Sequence, residues 1–237
     1  MEKDFLKNIT ITPFSPKTEN QKLFLTALKP KNKEKERLVI GEGFAGTGKT
    51  FLAVGAALER IKNKEFKKLV VVRPKTEIRS QSLGFTPGSK QEKMLELVSH
   101  IVSYVCYFTR KSHAEVSQWM ERGNMIEVEA VEYIQGQTYS DSIIIIDECQ
   151  SLSRPILKMI VTRIGENSTM VLLGSTDQKN FSDSMSKVNI CPFEEYINMV
   201  KRDRNSMEHI VQFDINDVVR SKLAKANIYR FMREPGW

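Results

Sequence analysis

Apolar positions along the chain follow two rhythms: short unbroken runs, and longer stretches spaced at three and four. The unbroken runs are RLVIGEG (37–43), KKLVVVRP (67–74), SIIIIDE (142–148) and TMVLLGS (169–175). Bounded by Gly, Pro or charged residues, they read as strands buried on both faces. NMIEVEA (124–130) alternates and reads as a strand, and HIVQFD (209–214) as a last one. The three-four spacing predicts helices over 18–28, 49–63, 153–165 and 216–232, with two more near 91–110 and 112–122. Pro155 in the first turn and Gly165 just past the end bracket the helix at 153–165. Residues 1–20, with Pro13 and Pro16, read as an extended arm, 29–36 as a charged loop, and 75–90 as a loop punctuated by Gly84, Pro87 and Gly88. Strands alternating with helices predict an α/β fold, a mostly parallel sheet with helices on both faces.

Between the first strand and the helix at 49–63 lies GFAGTGKT (43–50), which fits G-x-x-x-x-G-K-[ST] in the setting that motif requires. Gly43, Gly46 and Gly48 let the backbone of Phe44, Ala45 and Thr47 turn its N–H groups toward phosphate oxygens, and the helix beginning at Lys49, Thr50 and Phe51 adds its dipole. Lys49 suits the β/γ-phosphates, and the Thr50 hydroxyl suits Mg²⁺. The pattern implies ATP with Mg²⁺. The isoleucine strand ends in Asp147 and Glu148. Ligands of open parallel sheets bind beyond the carboxyl ends of the strands, so both acids are expected in the crevice with Lys49. Asp147 is placed to hold the Mg²⁺ shell, and Glu148 to deprotonate an attacking water. A water-activating Glu favours hydrolysis over transfer, which argues against a small-molecule kinase.

Composition adds little. With 41% hydrophobic and 27% charged residues, the chain is of ordinary globular type and has no apolar run long enough for a transmembrane helix or a leader. Cys106, Cys149 and Cys191 form no metal pattern and suggest a reducing, cytoplasmic setting. His100, His113 and His209 are scattered and read as structural or surface residues. The net charge of +7 leans toward an anionic partner such as nucleic acid, although stretches like KPKNKEKER (29–37) also suit a solvated surface.

GEGFAGTGKTFLAVGAALE, RPKTE with LGFTPGSKQEKM, IIIIDECQ and TRIG together resemble the PhoH-like ATPases, small phosphate-loop proteins related to superfamily 1 helicases and common in bacteria and bacteriophages. The similarity covers about 12–180, and more loosely FDINDVVRSKL (213–223). It implies a single RecA-like core over 37–237, preceded by an arm and adenine-side helix over 1–36, and a variable insertion near 181–208. It implies ATP hydrolysis, a homo-oligomer in the form of a six-membered ring, and action on single-stranded RNA or DNA. Gln21 is similar to an adenine-reading glutamine, or is simply a polar residue at a helix start. Gln150 completes a D-E-x-Q box, and Gln178 resembles a γ-phosphate sensor. Arg163 and Arg220 match family arginines, either of which could contact the γ-phosphate or form a surface ion pair. The family's G-D-x-x-Q pattern is altered to Gly174-Ser175-Thr176-Asp177-Gln178, and Cys149 replaces an alanine.

Two cores close the site in a superfamily 1 helicase, whereas this length holds one, so a facing arginine is expected from a second subunit. For nucleic acid, Arg73, Lys75, Arg79 and Phe85 mix cations with an aromatic, which suits phosphate contacts and stacking unless Phe85 packs locally. A second candidate is EYIQGQTYSD (132–141), with Tyr133 and Tyr139. The readings in contention are a helicase- or translocase-like ATPase, a nucleotide-gated binding switch without translocation, and, least supported, a phosphate-loop kinase.

Overall fold

The computed structural model describes residues 9–30, 35–74, 98–121, 125–131, 134, 136–176 and 191–234. Six strands form one sheet: β1 (Arg37–Gly43), β2 (Lys68–Arg73), β3 (Ile126–Ala130), β4 (Ser142–Ile146), β5 (Thr169–Gly174) and β6 (Glu208–Phe213). Their order is β3-β2-β4-β5-β1-β6, and every pairing is parallel. The helices are α1 (Glu19–Leu28), α2 (Lys49–Lys62), α3 (Ser99–Thr109), α4 (His113–Glu121), α5 (Arg154–Val161), α6 (Pro192–Arg202) and α7 (Lys222–Arg233).

The unbroken apolar runs are explained by two cores. Val39, Val71, Ile143, Ile145 and Val171 face one, beneath α1 to α4. Ile40, Val70, Val72, Ile144, Ile146 and Leu172 face the other, beneath α5 and α6. The four isoleucines of β4 alternate between the two, each at most 1% exposed. Burying each of them is worth roughly 1.5–3 kcal/mol. The strand therefore has no solvent side, and polar residues can begin only where it ends.

Two element boundaries differ from expectation. The helix at 153–165 stops at Val161 because the chain then exchanges bonds with Tyr139: Tyr139 N–H donates to the Arg163 carbonyl (3.0 Å) and Gly165 N–H to the Tyr139 carbonyl (2.8 Å). The last helix begins at Lys222 rather than 216. A capping box between Asp214 and Asp217 closes a short turn first, and the chain then runs alongside the phosphate loop, Val219 N–H donating to the Gly46 carbonyl (3.1 Å). Within the stretch expected as a variable insertion near 181–208, the described part holds α6 and the start of β6, with Phe193, Ile197 and Val200 of α6 buried in the second core.

α1 is likewise built into the main core, with Phe24 and Leu28 fully buried. Its start is tied to the turn after β6 by Asp217, whose carboxylate accepts from Thr18 Oγ1 (2.5 Å) and Asn20 Nδ2 (2.8 Å). Among the described residues no helix is long and apolar enough to cross a membrane.

Candidate active site

The carboxyl ends of β1, β2, β4 and β5 open on a pocket of about 470 Å³. Ala45, Gly46, Gly48, Lys49, Thr50 and Phe51 form one wall, Asp147, Glu148 and Gln150 another, and Arg73, His100 and Tyr104 a third. The phosphate loop turns on Gly43, Gly46 and Gly48, all with positive φ (131°, 83° and 82°). A Cβ at Gly43 would land on the Phe213 carbonyl oxygen, and one at Gly46 would lie 2.6 Å from Arg220 Cδ. Gly43 is therefore required by close approach to backbone as well as by conformation, whereas at Gly46 the neighbour is a movable side chain and conformation decides. The Lys49 ammonium lies inside the loop it serves, donating to the carbonyls of Gly43 (2.6 Å) and Phe44 (2.8 Å) and to Thr47 Oγ1 (3.2 Å).

The Asp147 carboxylate is nearly buried. It accepts from Thr50 Oγ1 through Oδ1 (3.3 Å) and meets His100 Nε2 through Oδ2 (3.0 Å). His100 Nδ1 lies 2.9 Å from Arg73 Nη1. A guanidinium only donates, so Nδ1 accepts and the ring proton sits on Nε2, aimed at Asp147. Arg73 also pairs with Glu148 Oε1 at 3.7 Å. Glu148 adopts the left-handed conformation (φ 59°), and its other oxygen accepts from Gln150 Nε2 (2.7 Å). The Gln150 carbonyl in turn accepts from Ser175 N–H (3.1 Å). Both acids of the sequence pair thus have partners, and the end of β5 is linked to Glu148 through one glutamine.

The structure sorts the sequence-predicted residues. Lys49, Thr50, Asp147 and Glu148 are brought together. Arg220 lines the pocket of its own chain, packed on Gly46, whereas Arg163 lies at the opposite end of the sheet, ahead of β5. Gln21 is buried with both amide groups engaged: Nε2 donates to the Thr47 carbonyl (2.8 Å) and Oε1 accepts from Lys17 N–H (2.6 Å). Through Thr47 it braces the phosphate loop. Arg73, expected on the nucleic-acid loop, is a wall of this pocket. Tyr139, offered as a second nucleic-acid contact, is 2% exposed and unavailable for stacking. Lys75, Arg79, Phe85, Tyr133 and Gln178 lie outside the described residues.

Sequence reading missed His100 and Tyr104, treating the histidine as structural or surface. The available signal was their spacing of four on one helix, a turn before Phe108. The aromatic rings beside the pocket form a cluster, Phe51 lying 5.5 Å from Tyr104 and 4.6 Å from Phe108. Burial raises the pKa of the Tyr104 phenol, and the Asp147 charge raises it further against an opposing pull from Arg220.

A phosphate loop at the end of β1, with an acid pair two strands away, is the arrangement of a nucleoside triphosphate-binding site. The family model described as PhoH-like protein matches residues 13–232. The chain belongs to the PhoH-like family. The PhoH-like protein of Bacillus subtilis (strain 168) is 33% identical over 94% of this chain and 65% of its own length. The protein PhoH of Escherichia coli (strain K12) is 27% identical over 93% of this chain and 58% of its own. The PhoH-like chain thus spans about two thirds or less of these relatives. Among solved structures, the large terminase of a thermophilic bacteriophage in complex with ADP superposes with a TM-score of 0.56 over 94% of this chain and 51% of that one, at 13% identity. The Sulfolobus solfataricus SWI2/SNF2 ATPase core in complex with dsDNA gives 0.50 over 89% and 48%, at 15% identity. These likenesses establish a RecA-like P-loop fold.

Proposed function

We propose that this PhoH-like chain binds and hydrolyses ATP with Mg²⁺, and that as a homo-oligomer it couples hydrolysis to single-stranded RNA or DNA in the manner of a helicase or translocase. The observation that carries the hydrolytic reading is Glu148. Its carboxylate is fixed by Gln150 on the wall of the pocket that Lys49 and Thr50 also line. A general base in such a position contributes about 10²–10⁴ in rate.

The remaining roles follow from chemistry. Loop N–H groups and the α2 dipole favour an anion at Gly46–Lys49. Phosphate binding would exchange the Lys49 carbonyl contacts for stronger charge-assisted ones. Thr50 and Asp147 supply a hydroxyl and a carboxylate oxygen, hard donors that fit Mg²⁺ with phosphate and water completing the shell. The cation, when bound, neutralises charge on the β- and γ-phosphates. His100 holds Asp147 in orientation, and Arg220 adds a cation from the same chain. The nucleic-acid part is supported by the net charge of +7 and by chain connectivity. The segment carrying Lys75, Arg79 and Phe85 continues directly from Arg73 on the pocket wall.

The test is an ATPase assay with and without RNA and single-stranded DNA, alongside binding of a fluorescent ATP analogue. Glu148→Gln should keep binding and lose hydrolysis by about 100-fold or more. An unaffected rate removes Glu148 from the mechanism. Absence of stimulation by either polymer sinks the coupling, and strand displacement separates translocation from a binding switch.

A further inference from the structure

Two surfaces at opposite ends of the sheet complement one another. The first is α7. Its sequence, KLAKANIYRFMR, carries Lys222, Lys225, Arg230 and Arg233 and no acid. None of its residues whose exposure is described is buried. Lys225, Ile228, Tyr229 and Met232 follow the i, i+3, i+4, i+7 spacing and share one side of the helix. Tyr229 is 39% and Met232 55% exposed, with Lys225 and Ile228 half-buried, so the outer part of this stripe lies uncovered and flanked by cations. The second surface is a groove of about 390 Å³ at the amino ends of β1, β5 and β6. Leu38, Ile164, Met170 and Met207 are among its apolar lining residues, and Glu36, Glu166 and Glu208 supply its acids. Arg37, also in the lining, is engaged with His209 at 2.8 Å.

We propose that α7 of one copy seats in this groove of a second copy, apolar stripe on apolar floor and cations against glutamates. The proposal deepens the oligomer part of the reading above by naming the surfaces. α7 starts one residue after Ser221, which follows Arg220 at the phosphate-loop end of the sheet, so the helix begins at the opposite end from its own groove. The two surfaces differ, so the contact is head-to-tail and either closes into a ring or continues as a filament.

The test is solution mass by light scattering across a concentration series, without nucleotide. The wild-type chain should assemble. Lys222→Glu with Lys225→Glu, and separately Glu166→Lys with Glu208→Lys, should each raise the assembly midpoint at least ~10-fold, as expected for the loss of interface charge pairs. Mixing the two reversed chains should restore assembly, because each reversed surface then meets one of complementary charge. A wild-type monomer at all concentrations, a reversed chain that assembles normally, or a mixture no better than its parts overturns the proposal. Met232→Glu changes only an exposed residue and must weaken assembly by itself, so the test survives a groove variant that fails to fold. Fluorescent nucleotide binding on the same chains separates the two readings. Normal assembly without ATP binding would sink the ATPase reading and leave this interface standing.

Discussion

At the carboxyl ends of β1, β4 and β5, polar side chains hold one another: Thr50 and His100 on Asp147, Gln150 on Glu148, Ser175 N–H on Gln150. At the amino ends of the same sheet, Tyr139 Oη and Arg163 Nε are buried without a hydrogen-bond partner among the described residues, as is Ser175 Oγ beside the pocket, so the two ends differ in how their acids are held rather than in orphaned atoms. Positive φ occurs at both ends: near the pocket on three glycines and on Glu148, and at the other end on Lys64, Asp141 and Asn167. Glu148 and Lys64 each bear a conformation costing about 1 kcal/mol or more for their type. What sets the pocket end apart is therefore the glycine loop and the chain of polar side chains that fixes its two acids.

The largest effect that would break this contrast is at Gly43. Gly43→Ala places a methyl group against the backbone of β6, in a conformation alanine resists, and neither strand can yield without unpairing. A loss of about 3 kcal/mol or more is expected, read as a fall in melting temperature. A variant melting within a degree or two of wild type would show that β1 and β6 part freely, and that the loop is not held by close packing.

How much of this was legible depended on where the information lies along the chain. Gly43–Thr50 and Asp147–Glu148 are contiguous, and their chemistry follows from local backbone geometry, so both halves of the pocket could be read directly. Four consecutive isoleucines implied a strand without a solvent face, and two cores supply the reason. His100, Tyr104 and Arg73 could not be placed because their roles depend on how α3 crosses the end of β2, which no local pattern records. Gln21 resembles an adenine-reading glutamine or a polar residue at a helix start, and because it lies distant from the motif along the chain, its contact with Thr47 could not be read locally. The groove was invisible for the same reason as the third wall: Glu36, Glu166 and Glu208 come from three separate parts of the chain. Helix ends were misjudged where a distant partner intervened, Tyr139 for α5 and Gly46 for α7.

A medium effect is expected at Gln150, which joins the end of β5 to Glu148. Gln150→Ala leaves Ser175 N–H buried without its acceptor, costing about 1–3 kcal/mol in denaturant unfolding. It also frees the Glu148 carboxylate. The turnover number should fall by about tenfold while nucleotide affinity holds, because the glutamine positions the base without itself touching the loop. If affinity falls and turnover does not, Gln150 contacts nucleotide and the linkage through Ser175 is wrong.

The smallest effect sharpens the contrast from the quiet end. Burial raises the pKa of the Tyr139 phenol, and the charges of Glu129 and Glu127 raise it further, so the hydroxyl stays protonated throughout the neutral range. It is buried beside the Arg163–Gly165 turn with no hydrogen-bond partner among the described residues. Tyr139→Phe removes a polar atom that gains nothing from its surroundings and leaves the ring packed between the two segments it joins. Deleting an unpaired buried hydroxyl should be neutral or stabilising by up to about 1 kcal/mol, with ATP hydrolysis unchanged. Destabilisation by more than that amount would mean an ordered water satisfies the hydroxyl. The hydroxyl would then join the polar contacts that Ser168 already makes there with Ser142 N–H and the Tyr139 carbonyl, and the division of labour along the sheet would be less sharp.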